Sequence, residues 1–265
     1  MNKSHLAGAM FAFALVAHQM PSQAADLASR AQPISAIPPA RIVEDRWTFN
    51  VTPYFWMATL GGQTVGGDDI NMSFNDVIQN LNFALMTSIA AEKGRFGLYS
   101  DLIYMNLEGS KTSTANLVGR SFKTKLNAKV QGFVTTNTAG YKVIDTPGTE
   151  ISGVGGFRYL WLQSDLDFSL GGFNASTSGQ GHVIDAVVGL RGETQLSEKW
   201  SLGYYGDVGA GQSDVTWQLF GAIGYEVRNV DLFAGYRYMG WRFDDVADLD
   251  EFDIHGPVIG ARFQF

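Results

Sequence analysis

From Arg46 onward, apolar and polar residues alternate along the chain with a period of two. Such alternation is typical of β-strands that present two different faces. In the first segment, Trp47 and Phe49 fall on one face while Thr48 and Asn50 fall on the other. The same pattern recurs and predicts ten strands, at 46–59, 81–92, 95–109, 122–144, 149–163, 182–196, 200–209, 214–227, 230–243 and 253–265.

The connections between these segments differ in length in a regular way. Tight turns are expected at 92–94, 145–148, 197–199 and 228–229. Longer loops are expected at 60–80, 110–121, 164–181 and 243–252, with a shorter one at 209–214. Short turns on one rim and longer loops on the other are typical of outer-membrane barrels. The prediction is therefore an all-β, transmembrane, antiparallel up-and-down β-barrel of about ten strands, with eight or twelve also possible.

The fourth predicted strand is too long for a membrane span. A tilted spanning strand needs about 9–11 residues, and the alternation at 122–144 runs well beyond that. We expect this strand either to stand above the membrane or to contain a bulge.

The N-terminal region is predicted to direct export. Lys3 precedes an apolar run at 6–17, and Ser22 and Ala24 form a small-residue cleavage site. The run is shorter than the roughly 20 residues of a membrane-spanning helix. We therefore expect a signal peptide at 1–24, a periplasmic extension with several prolines at 25–45, a barrel at 46–265, and a location in the outer membrane of a Gram-negative cell.

The last strand sets the assignment of faces. Its apolar residues share one parity and are expected to face lipid, where they form the C-terminal signal read by the outer-membrane insertion machinery: Ile259, Ala261, Phe263 and Phe265. Trp and Tyr at strand ends predict aromatic girdles at the level of the lipid headgroups: Trp47, Tyr159, Trp161, Trp200, Tyr225, Tyr236 and Tyr238. The expected partners are outer-membrane lipid and lipopolysaccharide.

Charged residues fall on the opposite, inward face. The expected inward acids are Glu92, Asp101, Asp185, Glu193, Asp207, Glu226 and Asp231. The expected inward bases are Lys125, Lys129, Arg158, Arg191, Arg237 and Arg262. A small barrel is nearly filled by its own side chains, and a selective pore would show an excess of one sign of charge. The near balance favours a charge network that largely plugs the lumen of a barrel serving envelope structure or the slow passage of small solutes. A specific small-molecule or hydrophobe channel is the alternative.

Composition narrows the classes of function further. The formal net charge of −7 argues against nucleic acid as a partner. The chain has no cysteine, and no cofactor or resident metal is expected. A hydrolase is a further alternative, since His182 and His255 are expected at the outer ends of strands. Neither has a serine beside it in an evident nucleophile context, so the chain is not expected to be an enzyme.

The outer loops carry a second charge signal. Several acids cluster at 244–253, and Asp68, Asp69 and Asp76 lie in the first loop. Carboxylates of this kind bind divalent cations. Their spacing does not match a dedicated calcium loop, so a solvated acidic loop stands beside the possibility of divalent cations.

The C-terminal half also resembles a known family. The stretches are VIDAVVGLRGE (183–193), YYGDVGAGQSDVTWQLFGAIGYEV (204–227), LFAGYRYMGW (232–241) and HGPVIGARFQF (255–265), with looser agreement at TPYFWMATLGG (52–62) and EKGRFGLYSDLIYMNL (92–107). They resemble small, mostly uncharacterised outer-membrane β-barrel proteins of proteobacteria, which implies a membrane barrel and no particular substrate. The repeats GGFRYLW and AGYRYMGW place Arg158 and Arg237 in equivalent inward settings, consistent with ion pairs to Asp185 and Asp207.

Overall fold

The chain forms a closed antiparallel barrel. The computed structural model describes residues 46–64, 69–117, 120–170, 173–246 and 249–265, so the predicted signal peptide and periplasmic extension lie outside the described residues. Ten strands follow one another around the ring, and the first pairs with the last. The predicted all-β barrel of ten strands is confirmed, and two further short strands are added to it.

The elements have the following bounds. The ring consists of β1 (Thr48–Trp56), β4 (Leu81–Lys93), β5 (Phe96–Leu117), β6 (Arg120–Thr146), β7 (Thr149–Leu170), β8 (Phe173–Gln195), β9 (Trp200–Gly211), β10 (Val215–Val227), β11 (Val230–Val246) and β12 (Leu249–Gln264). The additions are β2 (Thr59–Thr64), β3 (Asp69–Met72) and the short helix α1 (Phe74–Gln79). Among the described residues, no helix is long and apolar enough to cross a membrane.

Both ends of the barrel sequence lie at the same end of the barrel. Phe49 and Phe265 exchange backbone hydrogen bonds there, N to O at 3.1 and 2.8 Å. We call this the terminal end and the opposite one the far end. The tight turns predicted after β4, β6, β8 and β10 all lie at the terminal end, because each follows a strand that runs toward it.

The prediction of long far-end loops at 110–121, 164–181 and 243–252 was wrong, whereas the connection between β1 and β4 is long and contains β2, β3 and α1. Strands β5 to β8 pair continuously up to Leu117–Arg120 and Leu170–Phe173, and β11 and β12 extend to Val246 and Leu249. Polar residues are compatible with strand pairing at these positions, because both faces of a sheet that extends beyond the barrel can contact water. The long fourth predicted strand is β6, which has 27 residues and an irregularity in its pairing between Lys142 and Ile144.

The first predicted strand is interrupted rather than continuous. Strands β1 and β2 both pair with β12, but the ladder breaks at residues 57–58, opposite Gly256. Gly256 has φ of +155°, and a Cβ there would collide with the carbonyl oxygen of Met57. The Trp56 indole donates to the Gly256 carbonyl at 3.2 Å. Beyond the break, β2 and β3 form a hairpin along β12, and α1 leads into β4.

The outward face between the two ends is apolar. Side chains such as Val188 (64% exposed) and Leu219 (59% exposed) belong to a wide set of exposed aliphatic residues. At each end of the barrel, a row of aromatic side chains borders this set, and we call each row an aromatic ring of the barrel. At the terminal end, Phe96 packs on Tyr141 and Trp200 on Tyr225, and at the far end Trp217 stacks on Tyr238. The surface of this barrel is therefore an apolar band between two aromatic rings.

Candidate functional site: the barrel interior

Arg158 on β7 is the most enclosed charge in the barrel, with no exposed surface. Its Nε donates to Thr136 Oγ1 at 3.1 Å and its Nη1 to Thr216 Oγ1 at 2.8 Å. Its Nη2 lies 2.5 Å from Asp207 Oδ2 and 3.0 Å from Gln218 Oε1. Since Thr136 lies on β6 and Gln218 on β10, this one side chain ties together strands on different sides of the lumen.

Arg237 on β11 forms a second ion pair at the same level. Its Nη2 lies 2.5 Å from Asp101 Oδ2 on β5, and its Nη1 donates to the Tyr54 hydroxyl at 2.9 Å. Tyr54 donates in turn to Asp101 Oδ1 at 2.6 Å. The Arg237 guanidinium also lies over the Trp56 ring, 5.1 Å from its centroid. This pair spans the lumen, because β11 and β5 are far apart around the ring.

Gln218 joins the two ion pairs. Its Oε1 accepts from Nη2 of Arg158 and, at 3.2 Å, from Nη2 of Arg237. We call the resulting network the central arginine layer: Tyr54, Asp101, Thr136, Arg158, Tyr205, Asp207, Thr216, Gln218 and Arg237. It contains two arginines and two aspartates and is therefore neutral in formal charge. A buried charge is costly unless it is paired and hydrogen-bonded, and both arginines here are.

A second set of charges lies nearer the terminal end. Arg262 on β12 donates to Asp231 Oδ2 at 2.9 Å and forms two hydrogen bonds with the carboxylate of Glu193. Lys142 Nζ lies 2.8 Å from Glu150 Oε2 and 3.8 Å from Glu92 Oε2. These groups are partly exposed, so a group that loses its partner can still be hydrated, and breaking one of these pairs costs less than breaking a fully buried pair.

The far half of the interior is apolar. One cluster of buried side chains fills it, including Trp56, Met86, Met105, Met239 and Trp241. Val77 of α1 belongs to the same cluster. Helix α1 begins at a capping box in which the side-chain oxygens of Ser73 and Asp76 each accept from the other residue's backbone N–H. The helix thus holds an apolar side chain over the far end of the lumen.

Most of the charged residues predicted inside lie in these two sets or beside them. Arg191 lies over the Tyr99 ring, 4.5 Å from its centroid, and Tyr99 donates to Glu92 at 2.8 Å. Glu226 lies exposed where β10 ends. Lys125 has no described side chain. The structure therefore places Glu226 at the rim, outside the paired sets.

Two sequence-based expectations need correction. Lys129 was predicted inside, but Val130 and Val134 point into the interior and Lys129 has the opposite parity. The ion pairs also differ from those expected. Arg158 pairs with Asp207, whereas Arg237 pairs with Asp101. Asp185, the cross-strand neighbour of Arg158, accepts instead from the Ser213 backbone N–H at 2.8 Å.

Several interior residues escaped the sequence analysis because they are uncharged or were not counted. Tyr54, Tyr205 and Gln218 complete the central arginine layer, and Tyr205 donates to Asp207 at 2.5 Å. Their inward parity in predicted strands was the available signal. Lys142 shares the parity of the buried Thr136 and Thr138 and could have been found in the same way.

The two described histidines, and the acids Glu251 and Asp253, face outward, because they alternate with buried residues on β8 and β12. Nδ1 of His255 lies 2.8 Å from the Tyr236 hydroxyl, and its ring stacks on Tyr238 with centroids 5.1 Å apart. The Asp253 carboxylate is 3.9 Å from His255 Nε2, and Glu251 pairs with Arg242. Asp68 and the side chains at 244–248 lie outside the described set. Within that set, no group of three or more His, Asp or Glu residues is placed to hold a metal ion.

These features define a class: a closed antiparallel barrel with a filled interior and an apolar outer band. No family model matches the chain, and no curated protein matches its sequence.

The chain is similar to three solved barrels. One is Ail of Yersinia pestis, at 9% identity over 83% of this chain and 98% of that chain, with a TM-score of 0.35. Another is the translocator domain of the autotransporter NalP of Neisseria meningitidis, at 13% identity over 83% of this chain and 88% of that chain, with a TM-score of 0.41. The third is the P. putida toluene transporter TodX, at 12% identity over 83% of this chain and 90% of that chain, with a TM-score of 0.29. At these TM-scores the likenesses carry no further argument, and the fold rests on the strand pairing above.

Proposed function

We propose that the chain is an integral outer-membrane β-barrel whose lumen is closed and which serves the structure of the cell envelope. The observation that carries the proposal is the central arginine layer, in which Arg158 and Arg237 cross the lumen to carboxylates on other strands. The two ion pairs meet at Gln218 and leave the guanidinium groups almost completely enclosed.

The outer surface supports the membrane location. Phe96 and Tyr104 on β5 belong to the two aromatic rings, and so do Tyr225 and Trp217 on β10. Each pair is separated by eight residues, which corresponds to about 20 Å along the barrel axis for strands tilted by about 40°. The apolar band of an outer-membrane barrel is about 25 Å tall. The terminal end would then face the periplasm and the far end the cell exterior.

The C-terminal strand supports insertion by the outer-membrane machinery. Ile259, Phe263 and Phe265 all lie on the outward face, and Phe265 is 76% exposed at the rim. An apolar residue held there by two backbone bonds to Phe49 has no packing role inside the barrel. We attribute its presence to recognition during assembly rather than to stability.

Conductance tests the closed lumen directly. The mature chain, purified and inserted into a planar bilayer, should show no steady current steps, because the central arginine layer and the apolar far half both block the lumen. Steady, ion-selective steps would contradict a closed lumen. A water-filled outer-membrane porin inserted under the same conditions serves as the control that an open lumen is detectable.

A second candidate is the binding of a small apolar molecule in the far half. The observation in its favour is that three buried methionines, Met86, Met105 and Met239, line that half, and methionine side chains adapt to irregular apolar ligands. A naphthylamine fluorophore should then bind saturably and lose binding in Met239→Arg. Equal signals from wild type and variant would exclude this candidate.

A further inference from the structure

Strands β5 to β8 carry an ordered set of polar residues just beyond the far-end aromatic ring. The ring itself crosses these strands as one cross-strand row: Tyr104, Phe133, Trp161 and His182. Two residues further along each strand lies a row of side-chain amides: Asn106, Gln131, Gln163 and Gln180. The next row is Glu108, Lys129, Asp165 and Ser178, followed by Ser110, Asn127, Asp167 and Ser176. We call these three polar rows the outer platform.

The outer platform faces the lipid side of the barrel. On β5 the buried residues are Ile103, Met105 and Leu107, so the even-numbered residues between and beyond them point outward. On β7 the enclosed Arg158 and Leu160 show that the odd-numbered residues do the same. The polar rows thus continue the same surface that carries the aromatic ring, and the two outermost of them line a shallow depression.

The height of the platform matches the headgroup layer. Successive rows are two residues apart, or about 5 Å along the axis of a barrel with the usual strand tilt. The polar layer of each leaflet extends about 5–8 Å beyond the hydrocarbon core. The amide row would therefore lie within the headgroups, and the other two rows just outside them, where the sugars of an outer-leaflet glycolipid are found.

The chemistry of the rows suits hydroxyl groups better than free phosphates. Each glutamine offers both donors and acceptors. Gln131 is held by a 3.0 Å bond to the Tyr104 hydroxyl and Gln163 by a 3.2 Å bond to Asp165, and each bond leaves the amide oxygen and one N–H available. Glu108, Asp165 and Asp167 outnumber Lys129, so the platform is acidic overall and repels bare phosphate.

The opposite sector of the barrel is built differently. On β10 to β12 the far-end ring is the stack of Trp217, Tyr238 and His255. Beyond it, Arg242 and Glu251 neutralise each other at 3.1 Å. An extended set of unneutralised hydrogen-bonding groups at headgroup height is thus a property of the β5–β8 sector within the described chain.

We propose that the outer platform binds the saccharide headgroup of an outer-leaflet glycolipid. The inference rests on the proposed outer-membrane location, and it assigns to one sector of the barrel a lipid-specific contact that ordinary phospholipid does not make. The amide row supplies hydrogen bonds to sugar hydroxyls, while the aromatic ring below it contacts the acyl chains and the innermost sugar.

The test uses the full mature chain reconstituted in phospholipid vesicles that contain a minor fraction of lipopolysaccharide. After solubilisation in a detergent without a sugar headgroup, the lipopolysaccharide that remains bound to the purified protein is measured. The variant Gln131→Ala/Gln163→Ala/Gln180→Ala removes three amides and should retain about tenfold less, since several hydrogen bonds to sugar hydroxyls are lost. The matched control, Gln63→Ala/Glu251→Gln, changes exposed groups on β2 and β12 and should retain as much as wild type.

The outcomes separate this inference from the proposed function. If the wild-type chain fails to insert into vesicles, the outer-membrane proposal itself fails. If all three proteins insert and retain equal lipopolysaccharide, the platform proposal is overturned while the membrane location stands. A deacylated oligosaccharide that binds wild type as tightly as the intact glycolipid would also overturn it, because the bound species would then be a free sugar.

Discussion

Replacing Arg158 by methionine should destabilise the barrel more than almost any other single change of a charged residue. The side chain is fully enclosed and bonds four groups on three other strands. Methionine fills a similar volume, so the loss is one of charge and hydrogen bonds rather than of packing. The main consequence is that Asp207 stays enclosed without its cation.

The magnitude follows from the burial of both partners. Removing one partner of a buried ion pair costs about 3–5 kcal/mol, because the other charge is left uncompensated. The side chains of Arg158 and Asp207 are both completely buried, which places this pair at the upper part of that range. By contrast, Arg242 and Glu251 form a pair of similar geometry whose side chains are 67% and 48% exposed, and exposed pairs contribute at most about 1 kcal/mol.

Urea unfolding from phospholipid vesicles, followed by tryptophan fluorescence, measures the free energy of unfolding. Arg158→Met should lower the midpoint by at least about 1 M, whereas Arg242→Met should leave it nearly unchanged. Adding Asp207→Asn to Arg158→Met should recover part of the loss, because the uncompensated charge is removed. Equal midpoints for Arg158→Met and Arg242→Met would refute the view that the central arginine layer holds the barrel closed.

Three further predictions concern other parts of the barrel. Gly256→Ala should lower the free energy of unfolding by about 1–3 kcal/mol, since the backbone there has a positive φ and a Cβ would collide with the Met57 carbonyl oxygen. The control is Gly153→Ala, where a Cβ meets nothing within 4 Å. Equal unfolding curves for the two variants would contradict backbone strain at Gly256. Phe265→Ala should reduce the amount of folded protein in isolated outer membranes while leaving urea stability in vitro almost unchanged, and normal assembly in cells would count against an insertion signal. Arg262→Ala should cost less than Arg158→Met, about 1–3 kcal/mol, because its partners Glu193 and Asp231 are partly exposed; a loss as large as that of Arg158→Met would show that burial does not set the difference.

The sequence predicted the barrel well because its strands obey one simple rule over the apolar band. Where lipid lies on one side and a lumen on the other, parity separates aliphatic from charged residues, as on β7 and β12. The parity assigned from Phe265 therefore placed Arg158, Arg237 and Arg262 on the inward face. The same rule gave the strand order and the tight terminal-end turns.

The parity rule, which separates lipid-facing aliphatic residues from inward charged ones, fails beyond the apolar band of the barrel. At the far end of β5 to β8 neither face contacts the hydrocarbon core, so polar residues occupy both faces and charge no longer indicates direction. Lys129 was misassigned for this reason. The described residues of the stretches predicted as long loops, at 110–121 and 164–181, belong to strands, since Ser, Thr and Asn interrupt the apolar pattern there without ending the pairing.

The rule is also incomplete inside the lumen. It identifies charged inward residues but not their partners, since an arginine side chain reaches across several strands. Register alone places Arg158 opposite Asp185, yet its guanidinium extends to Asp207, where Thr216 and Gln218 supply further acceptors. Uncharged inward residues therefore help to determine which carboxylate pairs with each arginine, because they bond the remaining N–H groups of the guanidinium.

The arrangement of these partners explains why closure does not follow from charge balance alone. An equal number of acids and bases could line a water-filled pore, each pair lying flat against its own wall. Here Arg237 on β11 meets Asp101 on β5, and Gln218 ties that pair to Arg158. The bonds cross the lumen instead of following its wall, and a cluster of apolar side chains lies beyond them in the part of the chain that the structure describes. The proposed closure therefore rests on where the hydrogen bonds run, and a barrel of identical composition whose pairs were confined to neighbouring strands would lack it.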